Sequence, residues 1–201
     1  KQLQVNGQLD IENMCGICGE LRFKQGRAER DKIRTMLGPL QQRGPDDEGL
    51  YSAGQIALGH RRLAIIDLSQ AAQQPMLSAD QSLVIVFNGT IYNYPQLRQQ
   101  LQGLGYAFKS SGDTEVILQA YRHWGAECVQ HLVGMFAFAI WDARINKLFI
   151  ARDRLGIKPL YYSQTGHSFL FASNTQALLA TGEIDTEIDP QALQHQFTLH
   201  A

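Results

Sequence analysis

The chain has 201 residues, 44% of them hydrophobic and 18% charged, the balance of a globular protein that buries a full core as one large domain or a domain plus the start of another. A formal net charge of −1 gives no general electrostatic reason to bind nucleic acid or an anionic membrane, and nowhere do ~18 apolar residues run together as a bilayer span requires. Three cysteines in this length argue against a disulfide framework and fit a reducing cytoplasm.

Residues 1–13, KQLQVNGQLDIEN, have neither the basic end nor the apolar run of a secretory signal. In CGICGELRF, Cys15, Ile17, Gly19, Leu21 and Phe23 share one parity while Glu20 and Arg22 take the other, which predicts a strand with one buried face. DKIRTMLGPLQQRG follows with Ile33, Met36, Leu37 and Leu40 at helical spacing, and Gly44-Pro45-Asp46 forms a loop. Short strands are expected at 56–60, 62–67 and 83–87. Pro95 opens a helix carrying Leu97, Leu101 and Leu104. A second helix starts near Asp113 and puts Ile117, Ala120, Tyr121 and Trp124 on one side. MFAFAIWD, KLFIARD, PLYYS and SFLFAS then read as four strands at hairpin spacing. Strands in runs with helices segregated between them predict an α+β fold with mainly antiparallel sheets, and two sheets packed face to face with helices outside would cover every apolar face.

Cys15 and Cys18 are spaced C-x-x-C, the pattern of a metal clip or redox pair. On a strand, however, these positions point to opposite faces about 10 Å apart, too far to share a zinc ion or form a disulfide. Cys128 is the remaining cysteine, His60 is isolated, and His195 with His200 lies in the expected linker, so no metal is expected. Cys18 and Cys128 read as small buried residues. No G-x-S-x-G elbow, phosphate loop or G-x-G-x-x-G is present.

Several stretches, in this order and spacing, resemble one family: MCGICGELRF (14–23), RGPDDEG (43–49), GHRRLAIIDLS (59–69), QQPM (73–76), VFNGTIYNYPQLR (86–98), SGDTEVILQAY (111–121), GMFAFAIWD (134–142) and ARDRLGIKPLYY (151–162). They resemble the glutaminase domain of class II glutamine amidotransferases of the asparagine synthetase type. The resemblance implies the N-terminal-nucleophile (Ntn) hydrolase fold, a four-layer αββα sandwich. It also implies hydrolysis of L-glutamine to glutamate and ammonia, and delivery of that ammonia to an ATP-dependent synthetase domain. On this reading residues 1–14 are a leader, tag or propeptide, 15–182 the glutaminase domain, and 183–201 a linker and the first helix of a truncated synthetase domain. No cofactor is implied for the glutaminase part, whereas ATP and magnesium are expected for the synthetase part. Self-association into a homodimer stays open.

The resemblance makes Cys15 the nucleophile, forming a γ-glutamyl thioester that water clears. Its base would be its own α-amino group, whose pKa of ~7.7–8.0 suits proton transfer near neutrality better than a lysine at ~10.4. By the same resemblance the Asn88 side chain and the Gly89 N–H form the oxyanion hole, against the alternative of an ordinary Asn-Gly turn. Arg62 matches the arginine that grips the substrate α-carboxylate; strand alternation sends its neighbour Arg61 the other way, into solvent. Asp113 matches the aspartate that binds the α-ammonium, with Thr114 free to cap the helix, although an Asp at this place is also a common N-cap. The RGPD loop borders the pocket as scaffold, and Asp153 with Arg154 reads as a structural turn pair.

Thr90 departs from the pattern. The family usually has glutamate there, helping to hold the ammonium of glutamine. A charged hydrogen bond contributes ~1.5–3 kcal/mol against ~0.5–1.5 for a neutral one, so threonine predicts weaker glutamine binding with Asp113 as the one carboxylate. FNGTIYNYP together with MCGICGELRF resembles most the N-acetylglutaminylglutamine amidotransferase subgroup, with asparagine synthetase as the alternative.

With Met14 attached, the nitrogen of Cys15 is an amide and no base. Either residues 1–13 are vector-derived or an upstream translation artefact with Met14 the natural initiator, or they are a propeptide removed at Met14–Cys15, or the site is inert and the domain only binds glutamine.

Overall fold

The computed structural model describes residues 14–24, 26–63, 73–187 and 189–199. The elements run β1 (Gly16–Arg22), α1 (Arg30–Leu37), β2 (Asp47–Ala53), β3 (Ile56–Arg62), β4 (Met76–Leu77), β5 (Leu83–Ile91), α2 (Tyr94–Gly103), α3 (Asp113–Trp124), a 3-10 turn (Gly125–Gln130), β6 (Gly134–Asp142), β7 (Lys147–Arg152), β8 (Tyr161–Gln164), β9 (Ser168–Ala172), α4 (Thr175–Leu179) and α5 (Pro190–Leu199). Two sheets form, in the orders β2-β3-β1-β9-β8 and β4-β5-β6-β7, and every pairing is antiparallel.

Period-2 alternation dictates the layering. Ile17, Ile56, Leu58 and Phe171 from the five-stranded sheet meet Val84, Val86, Ala137, Ala139 and Trp141 from the four-stranded one, forming a core between the sheets. The opposite parity of the first sheet, Cys18, Ala57, Leu170 and Ala172, lies under Ile33, Met36, Leu37 and Leu178 of α1 and α4. That of the second, Ile85, Phe87, Phe138 and Ile140, lies under Leu97 and Leu101 of α2 and Val116, Ile117 and Tyr121 of α3. The order is helix, sheet, sheet, helix, the αββα sandwich expected from the resemblance.

Several local expectations change. β1 is buried on both faces, because Gly16 to Glu20 sit between the inter-sheet core and α1; Glu20 is fully buried and pairs with Lys32 at 2.8 Å. The expected strand at 56–60 runs on to Arg62, whereas most of the one expected at 62–67 lies outside the described residues. Asp47–Ala53, polar and without alternation, is nonetheless a strand because it pairs along its whole length with β3. Asn88–Gly89 does not end a strand or make a turn; β5 continues to Ile91, paired with Gly134 of β6. Leu104 lies past the end of α2 and is exposed. Cys18 and Cys128 are fully buried free thiols, as expected.

Candidate active site

Cys15 stands immediately before β1, with the odd parity that sends Ile17 into the inter-sheet core. Its sulfur is bracketed by the Leu63 backbone, accepting from the N–H at 3.4 Å and facing the carbonyl at 3.7 Å. Burial raises the thiol pKa, and the Leu63 backbone, Arg62 and Lys158 oppose that rise. Arg43, in the loop after α1, donates from Nε to the Cys15 carbonyl at 3.4 Å, and its Nη2 is buried without a hydrogen-bond partner among the described residues.

On β3 the even residues Ile56 and Leu58 face the inter-sheet core, so His60 and Arg62 share that side. Arg61 takes the other face, as predicted, but does not reach into solvent. Its Nε donates to the Leu37 carbonyl at 3.2 Å and its Nη2 pairs with Glu48 at 2.6 Å, which ties β3 to α1 and β2. His60 is fully buried opposite Ile17, and desolvation pushes its pKa down to about 4, so it is neutral at physiological pH.

β5 supplies the facing wall. Its even residues Val84 and Val86 lie in the inter-sheet core, which puts Asn88 and Thr90 on the same side. Asn88 is 1% exposed, and its Nδ2 has no partner among the described residues. A Cβ on Gly89 would stand 2.3 Å from the Met135 carbonyl oxygen, so only glycine permits this approach of β5 to β6. The odd residues turn their backbone groups away from β6, toward the edge that the two-residue β4 leaves open. Phe87 N–H donates there to Gln74 Oε1 at 2.6 Å, and Ile91 N–H donates to Asp113 Oδ2 at 3.0 Å. The Gly89 N–H lies between them on the same edge, ~7 Å from each by strand rise.

Asp113 is the first residue of α3, with Gly112 at the N-cap. Burial raises its carboxyl pKa, opposed by N–H groups of Ile91, Asp113 itself and Thr114. Thr114 does not cap the helix; its hydroxyl accepts from Gln74 Nε2 at 3.5 Å. The preceding loop is held by Glu115, which accepts from Lys109 N, Ser110 N and Ser110 Oγ, and by Arg98, which donates to the Gly112 carbonyl at 2.9 Å.

Arg62, Cys15, Asn88 and Thr90 thus face the gap between the sheets, while Asp113 joins from the outer helical layer at the open edge of β5. Two residues with a part here were not singled out from the sequence. Gln74 bridges β5 to α3 within QQPM, its path fixed because a Cβ on Gly49 would stand 1.8 Å from its carbonyl oxygen. Lys158, within LGIKPLYY, is buried with its ammonium against the Met14 sulfur. The signal for both was their inclusion in stretches that carry the family resemblance. Asp153 is structural, accepting from Phe136 N, Ile157 N and Lys158 N. No group of three or more potential metal ligands occurs among the described residues.

A glutamine amidotransferase domain model matches residues 14–201. "Asparagine synthetase [glutamine-hydrolyzing] 3" of Bacillus subtilis is 41% identical over 189 residues, which is 92% of this chain and 31% of that protein. A putative asparagine synthetase of Methanocaldococcus jannaschii is 38% identical over 206 residues, 92% of this chain and 39% of its own length. Among solved structures, a glutamine phosphoribosylpyrophosphate amidotransferase of B. subtilis superposes with a TM-score of 0.70 at 26% identity, over 84% of this chain and 44% of that one. This chain therefore spans about a third of the length of these synthetase relatives. Its two antiparallel sheets and flanking helices have the Ntn-hydrolase arrangement. On this match the chain belongs to the glutamine amidotransferase domain family, in its class II, asparagine synthetase-type branch.

Proposed function

We propose that this domain, once Cys15 is its first residue, hydrolyses the side-chain amide of L-glutamine to glutamate and ammonia. The reading is carried by one arrangement: the buried, unpartnered Asn88 amide shares the inter-sheet face with the Cys15 sulfur and Arg62. The freed α-amine of Cys15 takes the thiol proton as sulfur attacks the amide carbon. The oxygen that becomes negative accepts from Asn88 Nδ2 and the Gly89 N–H. The tetrahedral species collapses to the thioester as the ammonium returns its proton to the departing ammonia. The same amine then activates water to release glutamate. Arg62 grips the substrate α-carboxylate and Asp113 its α-ammonium, with Thr90 as a neutral acceptor beside it.

While Met14 is joined to Cys15 the nitrogen is an amide and no base, so turnover requires its removal. The ammonia is consumed by an ATP- and magnesium-dependent synthetase portion of the longer protein. Its acceptor is N-acetylglutaminylglutamine on the strength of FNGTIYNYP together with MCGICGELRF. The 41% identity to a glutamine-hydrolysing asparagine synthetase supports the second reading, asparagine formation. The test is glutamate release from glutamine by protein whose N-terminus is verified by intact mass as Cys15, with Cys15→Ala as the blank. Turnover lost in the variant is expected; a correctly trimmed protein that leaves glutamine intact overturns the proposal.

A further inference from the structure

The ARDRLGIKPLYY segment holds none of the groups assigned a chemical role above, yet it is built with unusual care. Asp153 is bonded at both ends to Phe136, its N–H donating to the Phe136 carbonyl at 2.8 Å and its carboxylate accepting from the Phe136 N–H at 3.2 Å. Phe136 is the residue paired with Gly89. The same carboxylate accepts from Ile157 N at 2.9 Å and Lys158 N at 3.0 Å, and Arg152 donates to the Lys158 and Gly156 carbonyls. Every one of these bonds fixes the backbone that carries Lys158. The Lys158 side chain is 6% exposed, and the partner of its ammonium is the thioether of Met14, a weak acceptor for a buried cation.

Removal of Met14 takes that acceptor away from a buried cation held against the residue joined to Cys15, within electrostatic reach of the Cys15 sulfur. We propose that Lys158 is a positioning residue for Cys15: its ammonium, fixed by the Asp153–Arg152 cradle to β6 opposite Gly89, stabilises the thiolate that forms as the thiol proton passes to the adjacent α-amine. The inference rests on the nucleophile role proposed for Cys15. The charged and titratable groups around the pair are Arg43 from the loop after α1, Arg62 from β3, Asp153 from the cradle, and Tyr161 of β8 beside Arg43. Burial, then Arg43, hold the Lys158 pKa below its ordinary value, with Cys15 and Asp153 opposing that fall.

The test is the pH dependence of Cys15 alkylation by iodoacetamide in protein whose N-terminus is verified by intact mass as Cys15, followed by mass spectrometry from pH 6.5 to 10.5, in the parent protein, Lys158→Met and Lys158→Arg. The other two thiols are fully buried, so the readout is specific. Loss of the cation should raise the alkylation midpoint by about one pH unit in Lys158→Met, the low end of what an opposite charge supplies. At pH 8 the rate should fall roughly three- to fivefold, since the less acidic thiolate is also intrinsically more nucleophilic. Lys158→Arg, which keeps the charge, should retain the parent midpoint. A Lys158→Met midpoint equal to the parent's, or an equal displacement in Lys158→Arg, overturns the proposal. Because this assay needs no glutamine turnover, failure of the glutaminase reading would appear separately, as a Cys15-terminal protein that alkylates as predicted but leaves glutamine intact.

Discussion

His60 makes stability depend on pH in a window where few other groups titrate. It is 1% exposed, and its pKa falls from 6.5 in the unfolded chain to about 4 in the folded protein. Desolvation between the sheets and the nearby Arg62 cation cause the fall, opposed by the Phe87 backbone and Asp47. A base with a lowered folded pKa takes up protons on unfolding, so stability rises with pH between these two values and is lost as pH falls through the window. Integrated over the two pKa values, the loss from pH 7 is about 2 kcal/mol at pH 5 and about 3 kcal/mol at pH 4. Against a total of ~5–15 kcal/mol for a domain this is large. Asp113, whose folded pKa is raised, acts in the opposite sense at acid pH, and Asp142 and Asp153, whose pKa values are lowered, act in the same sense as His60 below the ordinary carboxylate range. His60→Gln retains all three, so the difference between parent and variant isolates the imidazole. Urea unfolding at pH 7, 6 and 5, with m-values checked for constancy, should show the parent losing about 2 kcal/mol more than His60→Gln. Parallel pH dependences would refute the claim that a neutral imidazole is locked between the sheets.

Three further outcomes follow from the site. Gly89→Ala places a methyl 2.3 Å from the Met135 carbonyl oxygen; it should cost roughly 2–4 kcal/mol in thermal unfolding and reduce glutamine hydrolysis by ~10²-fold or more. Thr90→Glu should add a carboxylate on the inter-sheet face of β5 and lower the KM for glutamine roughly fivefold, the difference between a charged and a neutral hydrogen bond; an unchanged KM counts against Thr90 as the weak point. Gln74→Ala removes the acceptor of the Phe87 N–H. It should destabilise by ~1–3 kcal/mol and speed hydrogen exchange at Phe87, while Thr114→Val, which loses only a long contact, should do little.

Alternation carried the sequence reading furthest. It separated Arg62 from Arg61 and Cys15 from Cys18, because a strand residue's face is fixed by its parity alone. It failed where a residue's environment depends on which strand lies alongside. Asn88–Gly89 resembles a turn, yet it is held straight by Phe136 and Ala137 of β6, nearly fifty positions away in the chain. Thr114 has the composition of a cap but is taken up by Gln74, which reaches it across the short β4 edge. Lys158 is one lysine among ordinary surface cations until Asp153 folds its backbone inward.

The polar groups that folding leaves without partners are the least legible of all, since burial belongs to the packing. The buried side-chain atoms lacking a hydrogen-bond partner among the described residues include Arg43 Nη2, His60 Nε2 and Asn88 Nδ2. Each such group costs about 1–3 kcal/mol when left unsatisfied. Arg43 touches the Cys15 carbonyl, His60 is paired with Ile17 two residues along, and Asn88 faces the same gap between sheets. Three of the four such atoms among the described residues lie on these walls; the fourth, Arg22 Nε, stands 3.0 Å from Glu20 Oε1, while buried carboxylates elsewhere are satisfied, as Glu20 is by Lys32 and Glu115 by Ser110. Their concentration on the walls around one cysteine fits a surface whose complement is an amino-acid amide, supplied from outside the chain.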